Sequence, residues 1–460
     1  MSNQSTMLTP TIPSAPTPSP FSTGPSQLAR TASTTSVKDL AQHLASASSS
    51  TSSLHFLEGD VEVVREKGLR HAKVKLEARQ YKTENFILQL LACLRTLRVP
   101  FWSTAEIAPG NVKIHKVSGS LTNAVFFVSH PSSRKPYTIL LRIYGLSSGS
   151  LISRPRELHI LHILSSRYRI GPRVYGTFEN GRIEEYFEST TLTPSDIRDP
   201  TISRWIGARM AELHSVDIEA VERTSPLTRG EGNGWEIGAK KNVKSWLPPA
   251  EEVLSLPSVA NTVRSELDLQ TFKGEWKKYM DWLSTVEDVH NGSRRVFAHN
   301  DAQYGNLLRL QHPKDVVDEH RQLVVVDFEY ASPNPAAFDI ANHFHEWTAN
   351  YHSSTPHLLD PSRYPTIEER RNFYTAYLGH TAVEGEYADL EEADRELQLA
   401  NLDEQVRIWS PASHAMWAIW GIVQAREDVE GNVKEPEFDY ISYAICRMIG
   451  FRREIRALGI

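Results

Sequence analysis

Patterns of apolar and polar residues change character at about residue 190. Between Val112 and Tyr144, runs of β-branched and aromatic residues alternate with Gly, Ser, Thr, Asn and Pro, which predicts antiparallel hairpins. The runs RVYGTF and RIEEYF flank the turn ENG at 179–181 and predict another hairpin. Apolar residues at helical spacing predict helices at 83–97 and 154–168. The first half of the chain is therefore predicted to be rich in β-structure.

Helical patterns dominate the chain beyond Thr191. Asp199 and Pro200 form an N-cap and first-turn pair ahead of an apolar stripe at helical spacing, which consists of Ile202, Ile206, Met210 and Leu213. Residues 221–290 contain Pro/Gly-rich loop and amphipathic helix and show the weakest pattern. The predicted fold class is α+β with two lobes: a small β-rich lobe at 56–188 and a larger, mainly helical lobe at 189–460.

Composition restricts the class of protein. Residues 1–55 are mostly Ser, Thr, Pro and Ala, so we expect a disordered tail. The net charge of −6 gives no general attraction to nucleic acid, and the two cysteines favour a reducing compartment. The longest apolar run, FILQLLACL at 86–94, is too short to span a membrane and predicts a buried amphipathic helix. We expect a cytoplasmic protein without stable membrane insertion.

The candidate chemistry lies in two short motifs. HNDAQYGN at 299–306 contains Asp301 and Asn306, and Asp327 follows the apolar strand-like run LVVV. Phosphoryl transfer uses one carboxylate at the attacking hydroxyl, and a carboxamide and a second carboxylate on the magnesium ion of the nucleotide. We therefore predict a kinase with Asp301 at the hydroxyl and with Asn306 and Asp327 as metal ligands. Glu329 is a candidate ligand for a second ion, and His299 is expected to support the loop.

Several segments in the same order resemble the choline/ethanolamine kinase family, and most of all its fungal choline kinases. They are RTLRVPFW, SGSLTN, LLRIYG, IGPRVYGTFENGRIEEYF, HNDAQYGNLL, VVVDFEYASPNPAAFDIANHFHEW and SHAMWAIWGIVQA. The likeness covers most of residues 80–450, and it is weak in the tail and at 221–290. It implies the protein-kinase-like fold that aminoglycoside phosphotransferases share.

The resemblance also implies a nucleotide site. SGSLTN matches the family's phosphate-covering loop, which gives Ser118, Gly119, Ser120, Thr122 and Asn123 as candidates. Arg142 matches the basic residue on the α- and β-phosphates, where a guanidinium offers two parallel donors. Glu157 is expected to orient Arg142, and Glu185 and Phe187 lie where an interlobe hinge would meet adenine. Asp339 matches a buried acid that braces the catalytic loop.

Aromatic residues form the candidate substrate site. Trp417 and Trp420 lie three residues apart on a predicted helix, and a quaternary ammonium ion is recognised mainly by aromatic faces. Residues at helical spacing often only fill a core, but the resemblance places Trp417, Trp420, Tyr440 and Tyr330 in a choline pocket. Phe438, Tyr443 and Tyr351 are equally compatible with pocket and core, and Glu346 is a candidate anion for the trimethylammonium group.

The predicted reaction is phosphorylation of choline with ATP and Mg²⁺, which supplies phosphocholine for phosphatidylcholine synthesis through CDP-choline. Ethanolamine kinase or dual activity is the alternative, and an aminoglycoside-type kinase fits less well because it calls for an open acidic cleft. A catalytically silent binding protein would be expected to lack one of the catalytic residues. The resemblance further implies a homodimer.

Overall fold

A computed structural model describes residues 63–119, 123–131, 137–145, 153–222, 235–287, 292–312, 318–381 and 386–460. The predicted tail at 1–55 lies outside the described residues, as do Ser120 and Thr122 of the SGSLTN segment.

A six-stranded sheet forms the first lobe, with strand order β1-β5-β6-β4-β3-β2. The strands are β1 (His71–Ala72), β2 (Lys113–Gly119), β3 (Asn123–His130), β4 (Tyr137–Tyr144), β5 (Val174–Phe178) and β6 (Gly181–Glu185). All neighbours are antiparallel except β1 and β5. Both predicted groups of hairpins are confirmed, because β-branched and aromatic residues alternate along each strand with turn residues between them.

Two helices accompany this sheet, α1 (Glu84–Thr96) and α2 (Arg154–Ile163). The Thr83 side chain caps α1 by accepting from Phe86 N at 3.2 Å. The helix then buries Phe86, Leu90, Leu91, Cys93 and Leu94 in one apolar cluster with the inner face of the sheet. FILQLLACL is therefore a buried amphipathic helix, as predicted.

The second lobe is mainly helical. Its helices within the described residues are α3 (Pro200–His214), α4 (Ile218–Val221), α5 (Gly238–Ser255), α6 (Asn261–Leu267), α7 (Leu269–Val286), α8 (Ala336–Glu346), α9 (Ile367–Thr381), α10 (Glu386–Asp389), α11 (Glu392–Gln424), α12 (Arg426–Glu430) and α13 (Tyr440–Ala457). Asp199 caps α3 by accepting from the backbone N–H groups of Thr201 and Ile202, so the predicted N-cap is confirmed. The 33-residue helix α11 packs against α5, α8 and α13.

Two small sheets lie beside these helices and carry the predicted motifs. One has the order β10-β9-β7, and the other pairs β11 with β8. Their strands are β7 (Ser189–Thr191), β8 (Arg295–Ala298), β9 (Leu307–Leu310), β10 (Leu323–Val325) and β11 (Ser332–Pro335). The architecture is the predicted two-lobed α+β fold, and no helix in the described ranges has the length and apolar character to cross a bilayer.

Candidate active site

The loop that follows β8 is fixed by one buried carboxylate. Asp339 on α8 accepts hydrogen bonds from the backbone N–H groups of His299 at 2.8 Å and Asn300 at 2.7 Å. It also pairs with Nε2 of His214 on α3 at 2.9 Å. Burial alone would favour the neutral acid, but these bonds together with His214 hold the pKa of Asp339 below its ordinary value. Asp339 therefore braces the loop in its ionised form.

Asp301 and Asn306 come together at the end of this loop. The Asn306 amide donates to the backbone oxygen of Asp301 at 2.9 Å and to its carboxylate Oδ2 at 3.0 Å. Because the NH₂ group faces Asp301, the amide oxygen is the group that remains for a cation. The Asp301 side chain is half-buried, whereas Asn306 is buried.

A backbone hydrogen bond of the preceding residue, Val326, holds Asp327 close to Asn306. Val326 donates from its N–H to the carbonyl oxygen of Asn306 at 3.0 Å, and its own carbonyl lies 3.1 Å from Nε2 of His299. Asp327 follows with a φ of +67°, in the left-handed region that side chains other than glycine seldom adopt. The contacts of His299 are those of a supporting residue.

Uncompensated negative charge collects between these loops. Burial, followed by the charges of Glu346 and Asp327, raises the pKa of Asp301 well above its ordinary value. Burial raises the pKa of Asp327 to about 6, although Arg142 opposes the shift. Burial and the charge of Asp327 raise the pKa of Glu329 well above its usual range. Carboxylates held this close are stabilised by a cation.

The donor set fits a hard divalent cation. Asp327 contributes carboxylate oxygens and Asn306 an amide oxygen, which are the ligands that Mg²⁺ selects. Glu329 lies near enough to Asp327 and Asp301 for their charges to raise its pKa, so it can serve the same region.

A cleft of about 710 Å³, including its open mouth, lies between the sheet and these loops. Its apolar walls are Phe127, Leu140, Leu161, Pro172, Leu308, Val326 and Phe328. Its polar groups include Arg142, Glu157, Arg182, Glu184 and Asp327, and its rim contains Glu185, Tyr186 and Phe187. A cleft that combines apolar walls with charged groups has the chemistry that suits a nucleotide.

Arg142 lies in this cleft with a partner that the sequence did not predict. Its Nε is 3.3 Å from Oε1 of Glu184, but this buried N–H makes no hydrogen bond of good geometry among the described residues. The expected partner, Glu157, instead forms an ion pair with Arg182 at 2.6 Å. Arg182 stands directly opposite Arg142 in the pairing of β4 with β6. Glu157 pairs directly with Arg182, while its charge still acts on Arg142. The expectation that Glu157 orients Arg142 stays a prediction.

The SGSLTN segment is described only at its ends. β2 and β3 pair through Ser118 opposite Val125 and Gly119 opposite Ala124. Asn123 begins β3, so the connection between the strands is short.

All seven aromatic candidates and Glu346 lie in one contiguous cluster. Trp417 and Trp420 meet edge to face at 5.1 Å, and Tyr330 lies 5.3 Å from Trp417. The indole N–H of Trp420 donates to the Tyr330 hydroxyl at 2.8 Å. The remaining ring contacts among these residues are Tyr330–Trp420 at 6.5 Å, Trp420–Tyr440 at 5.6 Å, Trp420–Tyr443 at 6.0 Å, Phe438–Tyr440 at 5.0 Å, Phe438–Tyr443 at 5.6 Å and Tyr351–Phe438 at 6.4 Å.

This cluster adjoins the catalytic loop. The amide of Asn300, the residue before Asp301, donates to the Tyr330 carbonyl oxygen at 2.9 Å. Besides burial, the charge of Asp301 also contributes to raising the pKa of Tyr330 and Tyr443. Trp420, Tyr330, Tyr351 and Phe438 are only half-buried. The cluster therefore keeps part of its ring surface accessible.

Several functional residues were missed by sequence reasoning. Arg182 and Glu184 were not recognised as members of the phosphate-side charge network, although their spacing places them on one face of a strand. Arg447 binds Glu346, and Gln303 hydrogen-bonds Asp301. Gln303 stands inside the HNDAQYGN motif, which could have identified it; Arg447 had no local signal.

The fold and site define a phosphotransferase of the kinase type. The family model "Choline/ethanolamine kinase" matches residues 114–451. A choline kinase of Schizosaccharomyces pombe is 35% identical, over 81% of this chain and 89% of the relative. A choline kinase of Saccharomyces cerevisiae is 32% identical, over 81% of this chain and 76% of the relative.

The fold has a matching solved structure. The crystal structure of choline kinase from Cryptosporidium parvum aligns with a TM-score of 0.61 at 24% identity, covering 80% of this chain and 95% of that one. The chain belongs to the choline/ethanolamine kinase family. It is a kinase that uses ATP and a divalent metal ion.

Proposed function

We propose that this enzyme transfers the γ-phosphoryl group of ATP to the hydroxyl of choline, with Mg²⁺ as the metal. The observation that carries the proposal is the aromatic cluster of Tyr330, Trp417, Trp420 and Tyr440 beside the Asp301 carboxylate. A substrate held on those rings by one end would present its other end to Asp301.

The chemistry of the rings favours a quaternary ammonium group. Trimethylammonium has no N–H to donate, so it binds through aromatic faces, each worth ~0.5–2 kcal/mol. The cluster offers several rings on one side of the site. Its buried anion, Glu346, already binds Arg447 at 3.1 Å and the Tyr351 hydroxyl at 2.7 Å. Glu346 is therefore proposed to position Tyr351 and Arg447, rather than to bind the substrate as a free carboxylate.

Asp301 is proposed to accept the hydrogen bond of the substrate hydroxyl. Its raised pKa makes the ionised carboxylate a stronger proton acceptor than an ordinary aspartate. The amide of Asn306 and the side chain of Gln303 hold that carboxylate in place. A loose transition state needs orientation more than early proton removal, and these bonds supply orientation.

ATP is proposed to bind to the other residues of the cleft. Arg142, with its poorly satisfied Nε–H, would bind phosphate oxygens, and Glu185 and Phe187 line the rim where adenine would enter. Glu157 and Glu184 would act through Arg182 and Arg142. Asn306 and Asp327 would hold Mg²⁺, which when bound neutralises charge on the phosphates. Gly119 and its neighbours would cover the phosphates.

Ethanolamine is the second candidate, because the family includes enzymes for both alcohols. A primary ammonium needs acceptor oxygens, and the buried Glu346 carboxylate of the cluster is occupied by Arg447. A silent binding protein is disfavoured because Asp301, Asn306 and Asp327 converge as phosphoryl transfer requires.

A methylation series of the substrate tests the proposal. Initial rates with Mg-ATP would be measured for ethanolamine, its monomethyl and dimethyl derivatives, and choline. We expect kcat/KM to rise with each methyl group as ring contact replaces hydration. Equal or higher kcat/KM for ethanolamine would contradict the proposed substrate, and absence of turnover with every alcohol would contradict the proposed reaction.

A further inference from the structure

Three potential metal ligands outside the active site converge beneath the aromatic cluster. His345 lies on α8, His414 on α11 and Glu454 on α13. One ligand atom from each lies within 4.8 Å of the others. Both histidines are buried, and Glu454 is partly buried.

A serine holds two of these groups. The Ser410 hydroxyl donates to Oε2 of Glu454 at 2.7 Å and lies 3.0 Å from Nε2 of His345. That nitrogen is also 3.3 Å from the Ser410 carbonyl oxygen. At the outer side, the exposed Arg453 donates to Oε1 of Glu454 at 3.1 Å. Glu454 is thus oriented with its carboxylate toward the histidines.

His414 is the least well satisfied of the three groups, because the Glu454 carboxylate meets its ring at poor hydrogen-bond geometry. Neither of its ring nitrogens makes a hydrogen bond of good geometry among the described residues, although the ring is almost fully buried. Its Nε2 stands 3.3 Å from Oε1 of Glu454, and its ring lies 3.9 Å from that of His345. Unpartnered buried polar groups are uncommon, and each calls for an explanation.

The space for His414 is made by a glycine. A Cβ atom at Gly450 on α13 would lie 2.6–2.8 Å from the His414 ring, which is too close. The imidazole therefore occupies a fitted position between α11 and α13.

We propose that His345, His414 and Glu454 form a binding site for a divalent transition-metal ion, with Zn²⁺ as the ion that fits best. Two imidazoles and one carboxylate are a frequent Zn²⁺ ligand set, with water completing four-coordination. Nitrogen donors favour Zn²⁺ over Mg²⁺, so this site differs in selectivity from the oxygen ligands at Asn306 and Asp327.

The local charges are compatible with a cation. The Glu454 carboxylate lies beside both imidazole rings and supplies negative charge at the site. Arg447 lies near both rings, but its charge is offset by the ion pair with Glu346. A bound divalent cation would bring positive charge to the site, and the Glu454 carboxylate would balance part of it.

Such an ion would join the helices that carry the aromatic cluster. His345 directly precedes Glu346, His414 stands three residues before Trp417, and Glu454 lies seven residues after Arg447. An ion bound to all three ligands would hold α8, α11 and α13 together below the rings. We therefore expect a structural role, with an effect on stability.

Metal binding to the purified full-length chain tests this site. Isothermal titration with Zn²⁺, with excess Mg²⁺ occupying the Asn306–Asp327 site, should show one equivalent bound. His414→Gln and the isosteric Glu454→Gln should each lower the affinity of that equivalent at least about tenfold. His380→Gln is the matched control, because this exposed imidazole lies 4.8 Å from the ring of another histidine, His320, and outside the proposed ligand group.

A spectroscopic readout makes the test independent of variant stability. Co²⁺ added to the unmodified chain should give the intense visible bands of a low-coordinate site, and Zn²⁺ should abolish them. Zn²⁺ should also raise the Tm of the unmodified chain and of His380→Gln but not that of Glu454→Gln. Failure of the unmodified chain to bind Zn²⁺ would overturn the proposal, and so would binding by His414→Gln and Glu454→Gln as tight as that of the unmodified chain.

Discussion

Arg447 donates from Nη2 to Oε1 of Glu346 at 3.1 Å, which joins α13 to α8 across 101 residues of sequence. The Tyr351 hydroxyl binds the other oxygen of Glu346 at 2.7 Å, and Arg447 Nε binds the Tyr443 hydroxyl at 3.0 Å. One buried ion pair therefore fixes the hydroxyl ends of two aromatic residues of the cluster.

Replacing Arg447, the basic partner of this ion pair, should destabilise the protein. Arg447→Met leaves the buried Glu346 carboxylate without its cation, and removal of one partner of such a pair costs ~3–5 kcal/mol. We expect urea unfolding to show a loss of this order, and the double variant Arg447→Met/Glu346→Gln to recover part of it. Equal stability of the single and double variants would contradict the coupling.

Trp420 should affect choline far more than ATP. Trp420→Ala removes one ring, worth ~0.5–2 kcal/mol, so KM for choline should rise roughly 2- to 30-fold. Trp420→Phe keeps a ring but loses the bond to the Tyr330 hydroxyl, and it should have the smaller effect. Steady-state kinetics with each substrate varied checks this, since parallel changes in both KM values would instead mark Trp420 as a core residue.

Asp301 should be essential for turnover. Asp301→Asn preserves shape but removes the proton acceptor, and kcat should fall roughly 10²–10⁴-fold. Stabilisation by nucleotide in a thermal melt should persist, because the cleft walls are unchanged. Asp318→Asn, an exposed acid paired with Arg321, is the control and should retain full activity. Unchanged kcat in Asp301→Asn would refute the assigned role.

Arg142 should matter at the nucleotide end. Arg142→Lys keeps the charge but loses the planar fork, so KM for ATP should rise about tenfold while KM for choline changes little. Arg309→Lys, an exposed arginine over the Trp205 ring, is the matched control. A rise confined to choline would be evidence against phosphate binding by Arg142.

His343 should make folding sensitive to acid. Its Nδ1 lies 2.8 Å from the Ala302 carbonyl, while Trp347 donates to its Nε2 at 3.3 Å, so the ring is held neutral. Burial lowers the pKa of His343 from 6.5 to about 4. As the pH falls, the unfolded chain therefore binds a proton at this imidazole before the folded chain does. The contribution of neutral His343 to the free energy of unfolding is intact above about pH 6.5 and is lost as the pH falls toward 4.

The size of this effect is about 3 kcal/mol, from the pKa difference. Free energies of unfolding in urea across this pH range should fall less steeply for His343→Gln than for the unmodified chain. His312→Gln, at an exposed position, should follow the unmodified chain. The same pH slope in His343→Gln and the unmodified chain would refute the linkage.

The sequence could predict features that depend on neighbours along the chain. Strand alternation, the Asp199 cap and the HNDAQYGN spacing each encode a local geometry, and the structure contains them. The partner of Arg142 could not be obtained in this way, because it depends on the register that sets Arg182 opposite Arg142. The polar residues Arg182 and Glu184 would suit a solvent-exposed strand face, yet both are buried, and Arg182 pairs with Glu157 of α2.

In the aromatic site, too, some contacts could be predicted from the sequence and others could not. Helical spacing put Trp417 and Trp420 together, but Tyr351, Phe438 and Tyr443 lie on other elements, and only packing brings them into contact. The role of Arg447 could not be predicted from the sequence for the same reason, because its partner Glu346 lies 101 residues away along the chain.

Asp327 places two opposing demands on a single position. Its φ of +67° suits glycine, and strain of this kind costs ~1–3 kcal/mol for other residues. The proposed metal site requires a carboxylate at that same Cα. A redesign of this enzyme guided by backbone preference alone would therefore substitute glycine there, and it would relieve the strain by discarding the charge of the proposed metal ligand.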